Sequence, residues 1–142
     1  MNSVIERIAA IGIIPDIKIE KTEQAVPLAN ALCEVGLPAA ELTFRTDAAE
    51  ESIRLISEAV PEMLVGAGTV LTTGQADRAI AAGAQFIVSP GLNPVTVEHC
   101  LAKNVLIMPG CSGPSDVEQA ISFGLDTVRF FPAEAAGGLA MI

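Results

Sequence analysis

A chain of 142 residues, 51% apolar and 18% charged, suits one globular domain with a real core. Its apolar runs are too short, or too broken by Pro, Gly and charge, for a membrane span. A formal charge of −9 with no Trp or Tyr argues against a nucleic-acid footprint, and leaves room for a small anionic ligand met by local positive charge.

The Met1-Asn2-Ser3 start lacks a basic segment, and Glu6 and Arg7 interrupt the apolar run, so no signal peptide is read and the expected location is cytoplasmic. An amphipathic helix over Val4–Ala10 leads into a strand over Ile11–Ile19, in which Asp16 and Lys18 share a face. Thr22 is placed to cap a helix that runs to about Val35 and stops at Gly36. The stretch Ala39–Arg45 alternates, with Ala40, Leu42 and Phe44 on one side and Glu41, Thr43 and Arg45 on the other. Thr46 or Asp47 caps the next helix, which Pro61 ends.

Met63–Val70 is apolar on both faces, as a covered parallel strand should be, and its glycines allow a close approach. A helix opens at Thr73 and closes at Gly83; Gln85–Gly91 is a short strand; Asn93-Pro94 caps and starts a helix to about Lys103. Val105–Gly110 is a strand, followed by a capping box of Ser115 with Glu118 and a helix stopped by Gly124. A last strand, Leu125–Phe131, aims Thr127, Arg129 and Phe131 to one side, and Gly137-Gly138 begins one more helix.

Strand and helix thus alternate about six times without a linker, which defines a parallel α/β fold of one domain over residues 1–142. Gly66-Ala67-Gly68 lacks the third glycine and the strand-to-helix junction of a dinucleotide turn. Polar residues instead gather at strand carboxyl ends, namely Glu41, Thr43, Arg45, Thr69, Ser89 and Arg129, where a barrel carries its chemistry. Cys33, Cys100 and Cys111 form no C-x-x-C pair and, with the single His99, no metal-ligand set; reduced thiols and no metal are expected.

Five segments in order, Glu41-Leu42-Thr43-Phe44-Arg45-Thr46, Val65–Val70, Gln85–Gly91, Met108-Pro109-Gly110 and Arg129-Phe130-Phe131-Pro132-Ala133-Glu134, closely resemble the 2-keto-3-deoxy-6-phosphogluconate / 4-hydroxy-2-oxoglutarate aldolases. The resemblance implies a (β/α)8 barrel, here about six βα units, and cofactor-free cleavage of a 2-keto-4-hydroxy acid to pyruvate and an aldehyde. It implies a Schiff base on a sixth-strand lysine, a position that Arg129 occupies here. Glu41 matches the general acid/base; Arg45 and Thr69 match the pyruvyl end, Arg45 holding the carboxylate; Pro90 matches the pocket wall and Lys18 a basic position in the barrel mouth. The family habit is a homotrimer.

Three departures follow from the same comparison. A guanidinium stays charged and cannot form the imine that a lysine amine forms, so the Schiff-base step should be lost or crippled. Asp16 stands where relatives carry an apolar residue, and an unpaired carboxylate there is costly, so it should pair with Lys18, Arg129 or solvent. An eight-unit barrel takes 200 or more residues, so the domain is expected to be incomplete at its carboxyl end and to lack the phosphate-binding loops. The competing reading is an inactive or engineered barrel fragment that serves as scaffold or assembly subunit.

Overall fold

In the computed structural model, which describes residues 3–142, six parallel strands are hydrogen-bonded in their own chain order. Met1 and Asn2, part of the start read for a signal peptide, lie outside the described residues. The elements are α1 (Ser3–Ile11), β1 (Asp16–Ile17), α2 (Ala25–Glu34), β2 (Ala39–Thr43), α3 (Ala48–Ala59), β3 (Leu64–Gly68) and α4 (Thr73–Ala81). They continue as β4 (Phe86–Ser89), α5 (Pro94–Ala102), β5 (Leu106–Cys111), α6 (Pro114–Ser122) and β6 (Arg129–Phe130). Among the described residues no helix is long and apolar enough to cross a membrane.

An order without reversal is singly wound, the progression of a barrel wall, and the curvature can be read from side chains. Six strands spaced about 4.8 Å apart would set the first and last about 24 Å apart in a flat sheet. Arg129 of β6 nevertheless reaches Asp16 of β1 at 3.4 Å. No arginine spans a flat sheet of that width, so the wall is curled and its end strands face each other across an interior.

The period-2 pattern separates two cores. Ala40, Leu42, Val65, Ala67, Ile87 and Ile107 point outward and pack with Ala29, Ile53, Ile56, Ala79 and Val97 of the surrounding helices. Ala39, Leu64 and Phe86 point inward near the amino ends of their strands, where Val4, Ile8 and Ile11 of α1 pack against them. Helix α1 therefore floors the interior. Arg7 pins it there, donating from Nη2 to the Glu62 carbonyl at 3.0 Å and from Nη1 to Gln85 Oε1 at 3.2 Å.

The end strands are shorter than expected. Of the stretch Ile11–Ile19 only Asp16 and Ile17 are strand, because α1 continues through Ile11 and turns at Gly12 with φ +81°. Of Leu125–Phe131 only Arg129 and Phe130 are strand. Each of these strands is hydrogen-bonded on one side within the described residues, β1 to β2 and β6 to β5, so each has one ladder to extend it where the middle strands have two.

Several caps also differ. Thr22 lies in a 3₁₀ turn, Thr22–Gln24, without a capping bond. Thr46 Oγ1 donates to the Ile19 carbonyl at 2.6 Å, and Asp47, the alternative, stands at the N-cap of α3 without a side-chain bond. Helix α4 opens at Thr73 as read, and Thr72 before it supplies the cap, accepting from Gln75 N at 3.1 Å. The expected Ser115–Glu118 box is replaced because Pro114 takes the first helical position of α6, which moves the cap forward. There the Asp116 carboxylate accepts from Ser112 N at 2.9 Å and Gly113 N at 3.2 Å. Asn93 caps α5 as read, accepting from Val95 N at 3.1 Å. Gly137-Gly138 leads only into a 3₁₀ turn, Gly138–Met141.

Candidate active site

Glu41 is the third residue of β2, and its register neighbours are Asp16 on β1 and Gly66 on β3. Alternation turns it inward, one step nearer the carboxyl end than Ala39. Its side chain is 9% exposed, and it fits because Gly68 on β3 has no side chain: a Cβ there would collide with the Glu41 carboxyl group. Gly66 makes the matching space for the Phe86 ring lower in the barrel. The glycines legible in the sequence as places of close approach thus receive side chains of the protein itself.

Opposite stands Arg129. Its Nη1 lies 3.4 Å from Glu41 Oε1 and its Nη2 lies 3.4 Å from Asp16 Oδ2. The guanidinium also sits over the Phe131 ring, 4.6 Å from the centroid, a contact of two same-side residues. At 3.4 Å the hydrogen bonds are long, so charge attraction carries most of the contact. Three elements far apart in sequence, β1, β2 and β6, therefore hold one cation between two carboxylates. Side-chain exposure grades the group, from 9% at Glu41 through 30% at Arg129 to 41% at Asp16.

Burial raises the Glu41 pKa to about 7; the Arg129 charge opposes that rise, Asp16 adds to it, and Arg45 opposes it. Desolvation thus wins over one adjacent guanidinium. A carboxyl group that titrates near neutrality, held in a curled interior beside a fixed cation, can both donate and accept a proton.

The remaining residues singled out in the sequence lie around this centre at different distances. Arg45 is exposed in the turn after β2 and acts on Glu41 through its charge. Thr69 follows the last residue of β3, half-buried, with φ +56°. Pro90 lines a separate groove of about 210 Å³ with Val70, Leu71 and Ser89, and its carbonyl oxygen lies against Gly110 with no room for a Cβ between them. Lys18 lies beyond β1, exposed, and pairs with Glu20 at 2.6 Å; Asp16 is taken by Arg129 instead. Ser89, read as a strand-end polar residue, bonds the Gly91 carbonyl at 2.8 Å and shapes its own turn.

Cys100 and Cys111 are buried and Cys33 is half-buried, and burial pushes all three thiols up, Cys100 to about 11. None is an activated nucleophile. His99 pairs with Asp77 at 2.8 Å on the outer surface between α4 and α5, with Lys103 on the same carboxylate oxygen at 3.0 Å.

A singly wound, curled wall of parallel strands, with Glu41 and Arg129 facing each other across its interior, defines a protein of the α/β-barrel class. Comparison then fixes the lineage. The family model described as KDPG and KHG aldolase matches residues 4–142, and the chain belongs to that family. It is 48% identical over 142 residues to the 2-dehydro-3-deoxy-phosphogluconate aldolase of Treponema pallidum, covering all of this chain and 68% of that protein. The crystal structure of the 2-keto-3-deoxy-6-phosphogluconate aldolase of Zymomonas mobilis with 3-phosphoglycerate superposes with a TM-score of 0.85 at 42% identity, covering 89% of this chain and 60% of that one. The KDPG aldolase of Legionella pneumophila, with pyruvate captured as a covalent carbinolamine intermediate, gives 0.87 at 38% identity, covering 90% of this chain and 62% of that one. The chain therefore spans about three fifths to two thirds of the length of these relatives.

Proposed function

We propose that the mouth between β1, β2 and β6 is a keto-acid site of the aldolase type, working on a 2-keto-4-hydroxy acid with pyruvate as the common product, in which the covalent step is impaired. The observation that carries this is the Arg129 guanidinium 3.4 Å from a Glu41 carboxyl that titrates near pH 7. In this reading Glu41 gives and takes the proton at the substrate's C3 and at its C4 hydroxyl. Arg45 orients the carboxylate through paired hydrogen bonds, with Thr69 at the pyruvyl end, Pro90 in the wall and Lys18 at the rim.

Arg129 fills the place from which the resemblance expects an amine to attack the ketone. Imine formation needs a nitrogen that has lost a proton, and a guanidinium keeps its charge at any working pH. The residue can hold an anion and cannot make the adduct. The reaction class is thus retained in the shape of the site and weakened in its nucleophile.

The test is reductive trapping. With pyruvate and borohydride at alkaline pH, the native chain should stay unmodified while R129K gains the mass of one reduced pyruvyl group. An R129K variant that takes up no pyruvate at any pH would remove position 129 from the reaction.

A second reading, an assembly subunit acting as scaffold, draws on a different observation. An apolar groove of about 510 Å³ lies outside β6, lined by Cys111, Val117, Val128, Phe130, Met141 and Ile142. Homo-oligomer formation by that face would appear in sedimentation as a species larger than the 14.7 kDa chain, and a monomer would exclude it.

A further inference from the structure

The Arg129 guanidinium has two carboxylate neighbours, and only Glu41 is explained by the proposed chemistry. Asp16 is an acid in a two-residue strand whose register partner is Glu41 itself, so two carboxylates sit side by side on adjacent strands. Like charges so placed repel, and the arrangement is tolerable only because Arg129 lies between them, with one nitrogen on each acid. The contacts divide the guanidinium: Nη1 goes to Glu41, Nη2 to Asp16, and its face to the Phe131 ring.

We propose that Asp16 is a positioning residue that ties up the cation at position 129 across the barrel mouth, so that positions 16 and 129 act as one unit in setting whether this site holds a charge or offers a nucleophile. The inference rests on the site reading given above and extends it to a residue outside that reading's chemistry.

The physical consequence is specific. An amine placed at 129 would inherit the same neighbours, and a carboxylate within ion-pair distance keeps an ammonium protonated. The charged groups facing it are Asp16 from β1 and Glu41 from β2; Arg45 acts on Glu41 from the turn after β2, and Lys18 is engaged by Glu20 outside. Glu41 is mostly desolvated, with its pKa raised to about 7, whereas Asp16 is 41% exposed. Asp16 is therefore the better solvated of the two acids. Replacing Arg129 by lysine alone gives a site whose amine is held in its unreactive form near neutral pH; replacing Asp16 as well releases it.

The experiment compares R129K, R129K/D16N and R129K/D16E. Each variant is titrated by NMR through the side-chain resonances of selectively labelled lysine, and trapped with pyruvate and cyanoborohydride across the same pH range. The amine of R129K should titrate about one pH unit or more above that of R129K/D16N, with R129K/D16E close to R129K. Where trapping occurs, its onset should move by the same interval. Equal amine midpoints in R129K and R129K/D16N would overturn the role given to Asp16, whatever the trapping shows. A displaced midpoint with no adduct in any variant would instead uphold Asp16 and defeat the keto-acid reading. In the native chain, D16N should also lower the Glu41 midpoint by removing a like charge, and an unmoved midpoint counts against the pairing.

Discussion

The Glu41 carboxyl group occupies the space that a side chain at Gly68 would fill, so the acid of β2 owes its inward position to a missing methyl group on β3. The two residues are 27 positions apart in sequence and share neither a motif nor a charge. Adding one carbon at Gly68 must push the carboxyl away from Arg129 or bend the wall. Overpacking of this kind typically costs about 1–3 kcal/mol. Gly68→Ala should therefore lower the denaturation midpoint in urea, and the loss should shrink sharply in a Glu41→Ala background, where the space is free. Additive losses in that double-mutant cycle would show that the two groups do not compete.

Glu41 also makes the fold pH-dependent, with a definite sign. Its folded pKa is raised from 4.5 to about 7, so between those values the folded chain holds a proton that the unfolded chain has released. Stability from this group is complete below about pH 4.5 and is lost as pH rises through 7. Roughly 2.5 pKa units correspond to a loss on the order of 3 kcal/mol. Urea midpoints of the native chain should fall across that window, while those of Glu41→Gln stay flatter; parallel slopes would show that the carboxyl is better solvated than its burial implies.

The alternation of Ala39–Arg45 was enough to turn Glu41 inward and Leu42 outward, and the β-branched and apolar runs of β3, β4 and β5 placed the middle of the sheet. Those strands have partners on both sides, so local pattern and tertiary pairing agree. The end strands were overextended because periodicity cannot report how many neighbours a strand has. Asp16 was legible as a costly acid needing a partner, and Arg129 was among the partners foreseen. The fit of Glu41 against Gly68 was not legible: it depends on register across β2 and β3, which a one-dimensional pattern leaves open. The resemblance put Lys18 in the barrel mouth and strand parity put it on the face of Asp16, but β1 ends at Ile17 and Lys18, beyond it, pairs with Glu20.

Thr69 holds φ +56°, a left-handed conformation that β-branched residues rarely take. The conformation costs about 1–2 kcal/mol relative to glycine, against about 0.5–1 kcal/mol of extra chain entropy that a glycine loses on folding. The strain is the larger quantity, so Thr69→Gly should stabilise the chain by up to about 1 kcal/mol. If the threonine lines the pyruvyl end as proposed, the same variant should bind pyruvate more weakly by calorimetry. Lower stability in Thr69→Gly would mean that its side chain makes contacts worth more than the strain.

Helix α1 closes the interior from below through Val4, Ile8 and Ile11, packed on Ala39, Leu64 and Phe86. Ile8 lies at the helical spacing that joins Val4 to Ile11, so it is the centre of the apolar stripe. Ile8 is half-buried, so its packing contributes less than the about 1.5–3 kcal/mol of a fully buried side chain, and placing a carboxylate there adds a desolvation cost. Arg7, on the same helix, donates surface hydrogen bonds to Glu62 and Gln85, each worth about 1 kcal/mol net. Ile8→Asp should therefore free the helix and open the inner core, whereas Arg7→Ala should only loosen it. Hydrogen exchange distinguishes the two: amides of α1 should lose most of their protection in Ile8→Asp and keep most of it in Arg7→Ala. Equal loss in both variants would assign the helix's attachment to its polar anchors, and the apolar floor would then be a consequence of docking, not its cause.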